Sequence, residues 1–343
     1  MPIEAGGRPA VELQVYHAAL NKRLPGQDMA VRNVLVTGCS SGIGLAVAVH
    51  LARDELKRFQ VIATMRNLEK RQALEKQAGS VLKTTLELKE LDVTSAESIR
   101  RCVDSIPQRR VDVLVNNAGL GMIGPVESQN MASIQRLFDT NFFGLVRLIQ
   151  EVFPDMKRRK QGHIVVMSSV LGLQGLLFND IYSASKFAVE GFCESLALQA
   201  LKFGINISLI EPGPVVTEFE RKLYEEAANM DLSAVDKETL DIFQGFYMAY
   251  SKEVFTALGQ SPDEVAEHTM KVITAEKPPF RYQTNSLYTP ITTLKHADPS
   301  GNLPLSAFHQ MIFQHDRLFK ASLSLLKMLQ WRKRRDMDYN KSP

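Results

Sequence analysis

Ser169, Tyr182 and Lys186 stand 13 and 4 residues apart, the last two within Tyr182-Ser183-Ala184-Ser185-Lys186. Where such a stretch opens a helix, positions i and i+4 share a face, which brings an ammonium beside a phenol. The ammonium stabilises a phenolate, so the expectation is a Tyr182 pKa pulled down from about 10. Tyr182 then serves as general acid or base toward a carbonyl or alcohol oxygen. Ser169, closing an apolar run, is placed to donate a second hydrogen bond to that oxygen. A Tyr and a Lys four apart also recur on surface helices with no chemistry, so the rest of the sequence must decide.

A second cluster is Thr37-Gly38-Cys39-Ser40-Ser41-Gly42-Ile43-Gly44, which joins a strand-like run to a helix-like one. Gly38 permits a tight turn, and Gly42 and Gly44 allow close approach of backbone to a pyrophosphate and of helix to sheet. The phosphates would meet free N–H groups at a helix N-terminus, with Ser40, Ser41 and Ile43 around them. Enzymes preferring NAD carry an acid about 20 residues on. Here the second strand ends Ala63-Thr64-Met65-Arg66. A guanidinium suits a 2′-phosphate, which favours NADP(H); the other reading of Arg66 is a solvated loop residue.

The elements that must position these groups follow from hydrophobic rhythm. Short apolar runs at 31–36, 60–65, 86–93, 111–115, 164–167 and 205–210 alternate with helix-length stretches at 43–52, 67–78, 95–106, 130–158 and 181–203. Near-continuous apolar strands alternating with helices predict an α/β fold with a doubly wound parallel sheet of Rossmann type. Residues 214–258, rich in charges and aromatics, are a lid over a pocket or a helical insertion. A helix is expected at 261–275, capped by Ser261 with Pro262 at its first position. A last strand is expected at 280–284 and loop at 298–304. The resulting plan is an extension over 1–29, with Met29 as a possible alternative start, a single domain over 30–290 and a tail over 291–343.

Composition narrows the class. The 343 residues are 45% hydrophobic and 23% charged with a net charge of +3, which excludes a disordered or collagenous chain and gives no case for nucleic-acid binding. Three scattered cysteines argue against a disulfide framework and for a reducing compartment. No metal-ligand spacing, signal peptide or run of 18 apolar residues stands out, so the expected setting is cytoplasmic, soluble or peripherally bound.

With TGCSSGIG (37–44), LDV (91–93), NNAG (116–119), DTNFFG (139–144), SSVLGLQG (168–175), YSASK (182–186) and EPGPVVTEF (211–219) in this order, the chain resembles the short-chain dehydrogenase/reductase family over most of 31–285. The resemblance implies that Asp92, with Val93 beside it, meets the adenine. It implies that Asn116, Asn117, Ala118 and Gly119 stabilise the sheet and lie along the cofactor. Asn141 would hold a proton-relay water to Lys186, and Pro212, Val215 and Thr217 would contact the nicotinamide. The catalytic set is then Asn141, Ser169, Tyr182 and Lys186. Within the family, ATMRNLEK, DMKRRKQGHIVV and FNDIYSASKFAVEG are similar to two sister groups, photoreceptor-type retinol dehydrogenases and estrogenic 17β-hydroxysteroid dehydrogenases. The steroid group grips the distal hydroxyl with a His and a Glu, where this chain has Tyr250 and Ser286. Leu171 and Leu177 fit the retinol group.

The resemblance therefore implies NADPH-dependent reduction of all-trans-retinal, with an estrogen dehydrogenase as the alternative and a non-catalytic NADPH-binding regulator as the alternative of another class. Val170, Leu171, Leu173, Leu176, Leu177 and Phe178, with the aromatics of 214–258, can line an apolar slot for a polyene or steroid, about half of them being ordinary core. Leu318, Ala321, Leu325, Met328 and Leu329 recur at helical spacing before Trp331-Arg332-Lys333-Arg334-Arg335. That segment suits an anionic membrane surface or a helix docked on the protein. It lacks the cysteines that anchor the retinol group's tail. A homodimer and a place in photoreceptor outer segments are implied by the resemblance alone.

Overall fold

The computed structural model describes residues 31–314; the amphipathic segment at 318–335 and residues 1–30 lie outside the described residues. Seven strands form one sheet: β1 Arg32–Val36, β2 Phe59–Met65, β3 Leu86–Glu90, β4 Val113–Asn116, β5 Gly162–Met167, β6 Ile205–Glu211 and β7 Arg281–Gln283. Their order is β3-β2-β1-β4-β5-β6-β7, and every pair is parallel. This is the doubly wound sheet that the apolar runs predict. The order reverses between β1 and β4, which opens a crevice at the strands' C-terminal ends where such sheets bind ligands.

Side chains alternate across this sheet, so each central strand feeds two cores. Val34, Val36, Val113 and Val115 pack under α1 (Gly42–Ala52) and α10 (Pro262–Thr274) on one face. Leu35, Leu114, Ile164 and Val166 pack on the other, with Ile99, Leu148 and Val189 from the covering helices. Those helices are α3 (Ala96–Asp104), α5 (Gly144–Arg159) and α6 (Asp180–Lys202), α2 being the short Gln72–Ala78. The expected helix at 130–158 is α4 (Met131–Phe138) running through a π turn, Asp139–Phe143, into α5. Ser261 caps α10 with the full reciprocal box to Glu264, as its sequence demands.

Residues 214–258 are helical: α7 Glu218–Ala228, α8 Lys237–Leu240, a π turn Asp241–Tyr247 and α9 Met248–Leu258. They carry a small core of their own, Ala227, Phe243 and Tyr247 packed on Ile123 and Phe178. Beyond β7 the structure departs from expectation. Helix α11 spans Thr289–Ala297, and α12 spans Asn302–His309 where loop was expected to reach 304. Gly301 adopts a left-handed φ of 71° at the cap, and Pro304 sits within the first turn, where its missing N–H has no partner to lose. Among the described residues no helix is long and apolar enough to cross a membrane.

Candidate active site

The glycine turn is held by β4. Thr37, fully buried, accepts through Oγ1 from the backbone N–H groups of Asn117 and Ala118, each at 3.0 Å. Asn117 Nδ2 donates to the Thr37 carbonyl at 2.9 Å. Gly38 takes φ of 73°, and a Cβ there would stand 2.9 Å from Ala118 Cα. At Gly44 a Cβ would collide with Asn117 Nδ2 and the Gly38 carbonyl; this glycine seats α1 on the turn and does not line the cleft. Ser41 caps α1 in extended conformation without bonding its side chain to the first turn. The N–H groups there remain available to an anion. This cradle fits a dinucleotide's pyrophosphate.

A cleft of about 1270 Å³ runs from that turn across the strand ends. Gly38, Ser40, Ser41, Gly42, Ile43, Arg66, Asp92, Val93, Asn117, Ala118, Gly119, Pro212, Val215 and Thr217 line it, as do Ser169, Tyr182 and Lys186. Arg66 is exposed and forms no ion pair among the described residues. Asp92 Oδ1 closes its own turn onto Thr94 N and Oγ1.

At the catalytic end, Ser169 follows β5 and accepts from Leu171 N at 3.1 Å, while Val170 N binds the Pro212 carbonyl at 3.0 Å. The loop after β5 is thereby tied to the segment after β6. Tyr182 and Lys186 lie in the first turns of α6, whose preceding residue, Asn179, bridges the Leu177 carbonyl and the Tyr247 hydroxyl at 2.9 Å each. Lys186 is buried; its Nζ donates to the Met167 carbonyl at 2.9 Å and lies 5.7 Å from the Tyr182 ring centre.

The direction of the tyrosine's shift corrects the expectation from spacing. Burial pushes Tyr182 up to about 12, with a hydrogen bond from Ser169 pulling the other way. Burial pushes Lys186 down to about 8, opposed by the charge of Glu190. Proximity alone does not decide, because Lys186 is engaged by a carbonyl and low polarity disfavours charge on both groups. Burial therefore favours the protonated phenol at Tyr182 in the absence of other groups.

Two further expectations, Phe178 and Ser286, are corrected by position. The Asn141 side chain, in the π turn, is engaged by Leu120 N and O at 2.7 and 2.9 Å and by Ser185 Oγ at 3.1 Å. These bonds fix the loop after β4. Phe178 does not line the cleft: it is buried at a φ of 58°, edge-on to Phe243 and Tyr247 in the insertion's core. Ser286 is exposed on a 3-10 turn, and its neighbours Leu287 and Tyr288 line the cleft instead.

Leu171, Leu176 and Tyr250 do line it, Tyr250 tilted on Phe246 with ring centres 4.5 Å apart. Phe219 lies 6.3 Å from Tyr182. Sequence reading missed Met122, Leu287, Tyr288, Phe308, Met311 and Ile312, all on the cleft wall. The spacing of Phe308, Met311 and Ile312 was the available signal, one helical face. The Tyr288 hydroxyl is buried with no hydrogen-bond partner among the described residues.

The model of the short chain dehydrogenase family matches residues 32–228. The chain belongs to the short-chain dehydrogenase family. It is an oxidoreductase of that family that uses a nicotinamide dinucleotide. Retinol dehydrogenase 8 of Homo sapiens is 53% identical over 297 residues, covering 87% of this chain and 95% of that protein. The 17-beta-hydroxysteroid dehydrogenase type 1 of Homo sapiens is 43% identical over 289 residues, covering 83% and 87%. Among solved structures, actinorhodin polyketide ketoreductase with NADPH superposes at a TM-score of 0.62 with 28% identity, covering 75% of this chain and 95% of that one.

Proposed function

We propose that this short-chain dehydrogenase reduces all-trans-retinal to all-trans-retinol with NADPH. The observation that carries the reading is the placement of Tyr182 and Ser169 together in a cleft whose remaining wall is largely apolar. The similarity to retinol dehydrogenase 8 supports the substrate class, and Arg66 without a neighbouring acid supports the 2′-phosphate. NADPH, when bound, supplies the hydride. Gly38 to Ile43 would hold its pyrophosphate, and Pro212 to Thr217 its reactive end.

Ser169 donates a hydrogen bond to the carbonyl oxygen and so polarises it. Tyr182, kept protonated by its surroundings, delivers the proton that the new alkoxide needs. Lys186, near 8, is charged at neutral pH and close enough to losing its proton to return one to Tyr182. Asn141 acts by fixing Leu120 and Ser185 around the pair.

Peripheral membrane attachment, with the basic amphipathic segment at 318–335 as its support, is part of this reading, and a membrane-dissolved substrate is consistent with it. A homodimer is supported by exposed Leu198 and Leu201 on α6. The photoreceptor setting rests on resemblance. A second reading, an estrogenic 17β-hydroxysteroid dehydrogenase, is favoured by one observation: the partnerless Tyr288 hydroxyl suits a substrate with a second polar group. The test is purified protein with NADPH against all-trans-retinal and estrone side by side. Higher kcat/KM on retinal supports the reading, and preference for estrone overturns it.

A further inference from the structure

We propose that Glu190 is a positioning residue for the Tyr182–Lys186 pair: one helical turn beyond Lys186 on α6, it sustains the lysine's charge and ties it through Ser168 to the strand end that carries Ser169. The proposal rests on the acid–base mechanism above. Glu190 is 4% exposed. Its carboxylate accepts a short hydrogen bond from Ser168 Oγ and forms a close ion pair with Arg281 of β7. Arg281 also reaches Glu211, at the end of β6, at 2.9 Å, and Glu194 at the surface at 3.1 Å. The carboxylate on α6 thus bonds the residue after β5 and Arg281 of β7, and through Arg281 it is linked to β6 behind the catalytic residues. Gly172 belongs to the same construction, since a Cβ there would stand 2.8 Å from Ser168 Oγ and 2.9 Å from Glu190 Cγ. A side chain at 172 would pry the loop after Ser169 off the carboxylate.

The charges facing Glu190 are Lys186 and Glu194 on its own helix, Arg281 on β7 and Glu211 on β6; Cys193 beside it is held as the thiol by burial. Away from the surface, Lys186 and Arg281 oppose the carboxylates of Glu190 and Glu211. The balance holds only while Lys186 keeps its proton. A buried carboxylate is costly to a fold unless paired, and apolar packing would close this space with less penalty. The position next to Lys186 gives the charge a use: burial drives the lysine toward its neutral form, and Glu190 resists. Burial also raises Glu211, to about 7, so its share of Arg281 weakens below that pH and Arg281 is left to Glu190.

Removing the Glu190 charge favours the neutral amine, so the lysine's pKa falls and the protonated pair is lost at lower pH. Glu190→Gln keeps the size, its one acceptor oxygen serving Arg281 while its amide N–H donates to Ser168 Oγ in place of accepting from it. The experiment measures kcat for NADPH-dependent carbonyl reduction from pH 6 to 9.5, with NADPH affinity by fluorescence and thermal stability alongside. The alkaline limb should move down by about one pH unit, with the plateau near wild type and melting little changed. Glu190→Asp, which retains charge, should leave the limb near its wild-type position. Arg281→Gln, which removes the opposing charge, should move it upward, so a folding failure in one variant leaves the other to decide. A uniform drop in kcat with an unmoved limb overturns the proposal and makes Glu190 structural. A wild type that reduces no carbonyl with NADPH refutes the mechanism instead, and the two failures are distinct.

Discussion

Truncating the cleft wall in the segment after β7 separates long substrates from short ones. Phe308 and Met311 are half-buried along the cleft, on a helix face shared with Ile312. A phenyl ring half open to a ligand offers about 70 Å² of apolar contact. At about 25 cal/mol per Å² that is about 1.7 kcal/mol, roughly 20-fold in kcat/KM. Phe308→Ala should therefore lower kcat/KM for a long polyene aldehyde by roughly 20-fold, and Met311→Ala by somewhat less. A short aldehyde such as hexanal, held at Ser169 and Tyr182, has no reason to touch either residue and should change less than about twofold. The assay is NADPH oxidation with an aldehyde series from hexanal through citral to all-trans-retinal in detergent. Equal loss along the whole series would mean that the segment supports the fold and not the substrate. No loss at the long end would remove it from the binding wall altogether.

Tyr182→Phe should reduce turnover by about 10²–10⁴-fold while NADPH fluorescence titration stays near wild type, since only the proton donor is removed; substantial residual activity would sink the acid role. Arg66→Asp should lower kcat/KM with NADPH by about tenfold or more and raise it with NADH, by losing a charge-assisted pair and adding repulsion; a wild type already preferring NADH would contradict the assignment. Tyr288→Phe removes a buried hydroxyl that has no partner among the described residues, so melting should hold or rise. Retinal reduction should be unaffected, and a selective loss on estrone would count for the steroid reading.

Most of the sheet was legible because its strands are buried on both faces and so are continuously apolar: β1, β2, β5 and β6 fall within two residues of their runs. The cradle was legible for a different reason, since the conformation at Gly38 and the packing at Gly44 leave those positions little choice of residue. What failed depends on direction in three dimensions. The run 170–178 is largely apolar, so nothing in it marks Phe178 as the residue turned into the insertion's core by a positive φ. A 3-10 turn presents Ser286 outward and Tyr288 inward, a difference no spacing rule resolves. Gly301, Asn302 and Pro304 read as breakers, although all three are suited to a helix start. The Tyr182–Lys186 spacing gave proximity correctly and the sign of the pKa shift wrongly, because burial is not visible in a spacing.

The chemistry and the choice of substrate are therefore built from different segments of the chain. Ser169, Tyr182 and Lys186 hang on β5 and α6, inside the stretch that the family shares. The outer wall comes from 214–258 and from Leu287 to Ile312, most of it beyond residue 228, where the family match ends. On the proposed reading, discrimination between a polyene and a steroid rests on that wall together with Leu171, Leu176 and Leu177, since the reacting oxygen meets the same hydroxyls in either case. With Ser286 turned to solvent, exchanging it for an acid would put the charge outside the cleft and give a steroid's distal hydroxyl nothing to hold. Tyr250, tilted on Phe246, with Ser251, and Tyr288, with Thr292, are then polar side chains on that wall near those positions. An unpaired hydroxyl costs on the order of 1–3 kcal/mol on burial, so a steroid's distal hydroxyl would need one of these groups as its partner, whereas the all-carbon ring end of a retinoid incurs no such penalty anywhere along it.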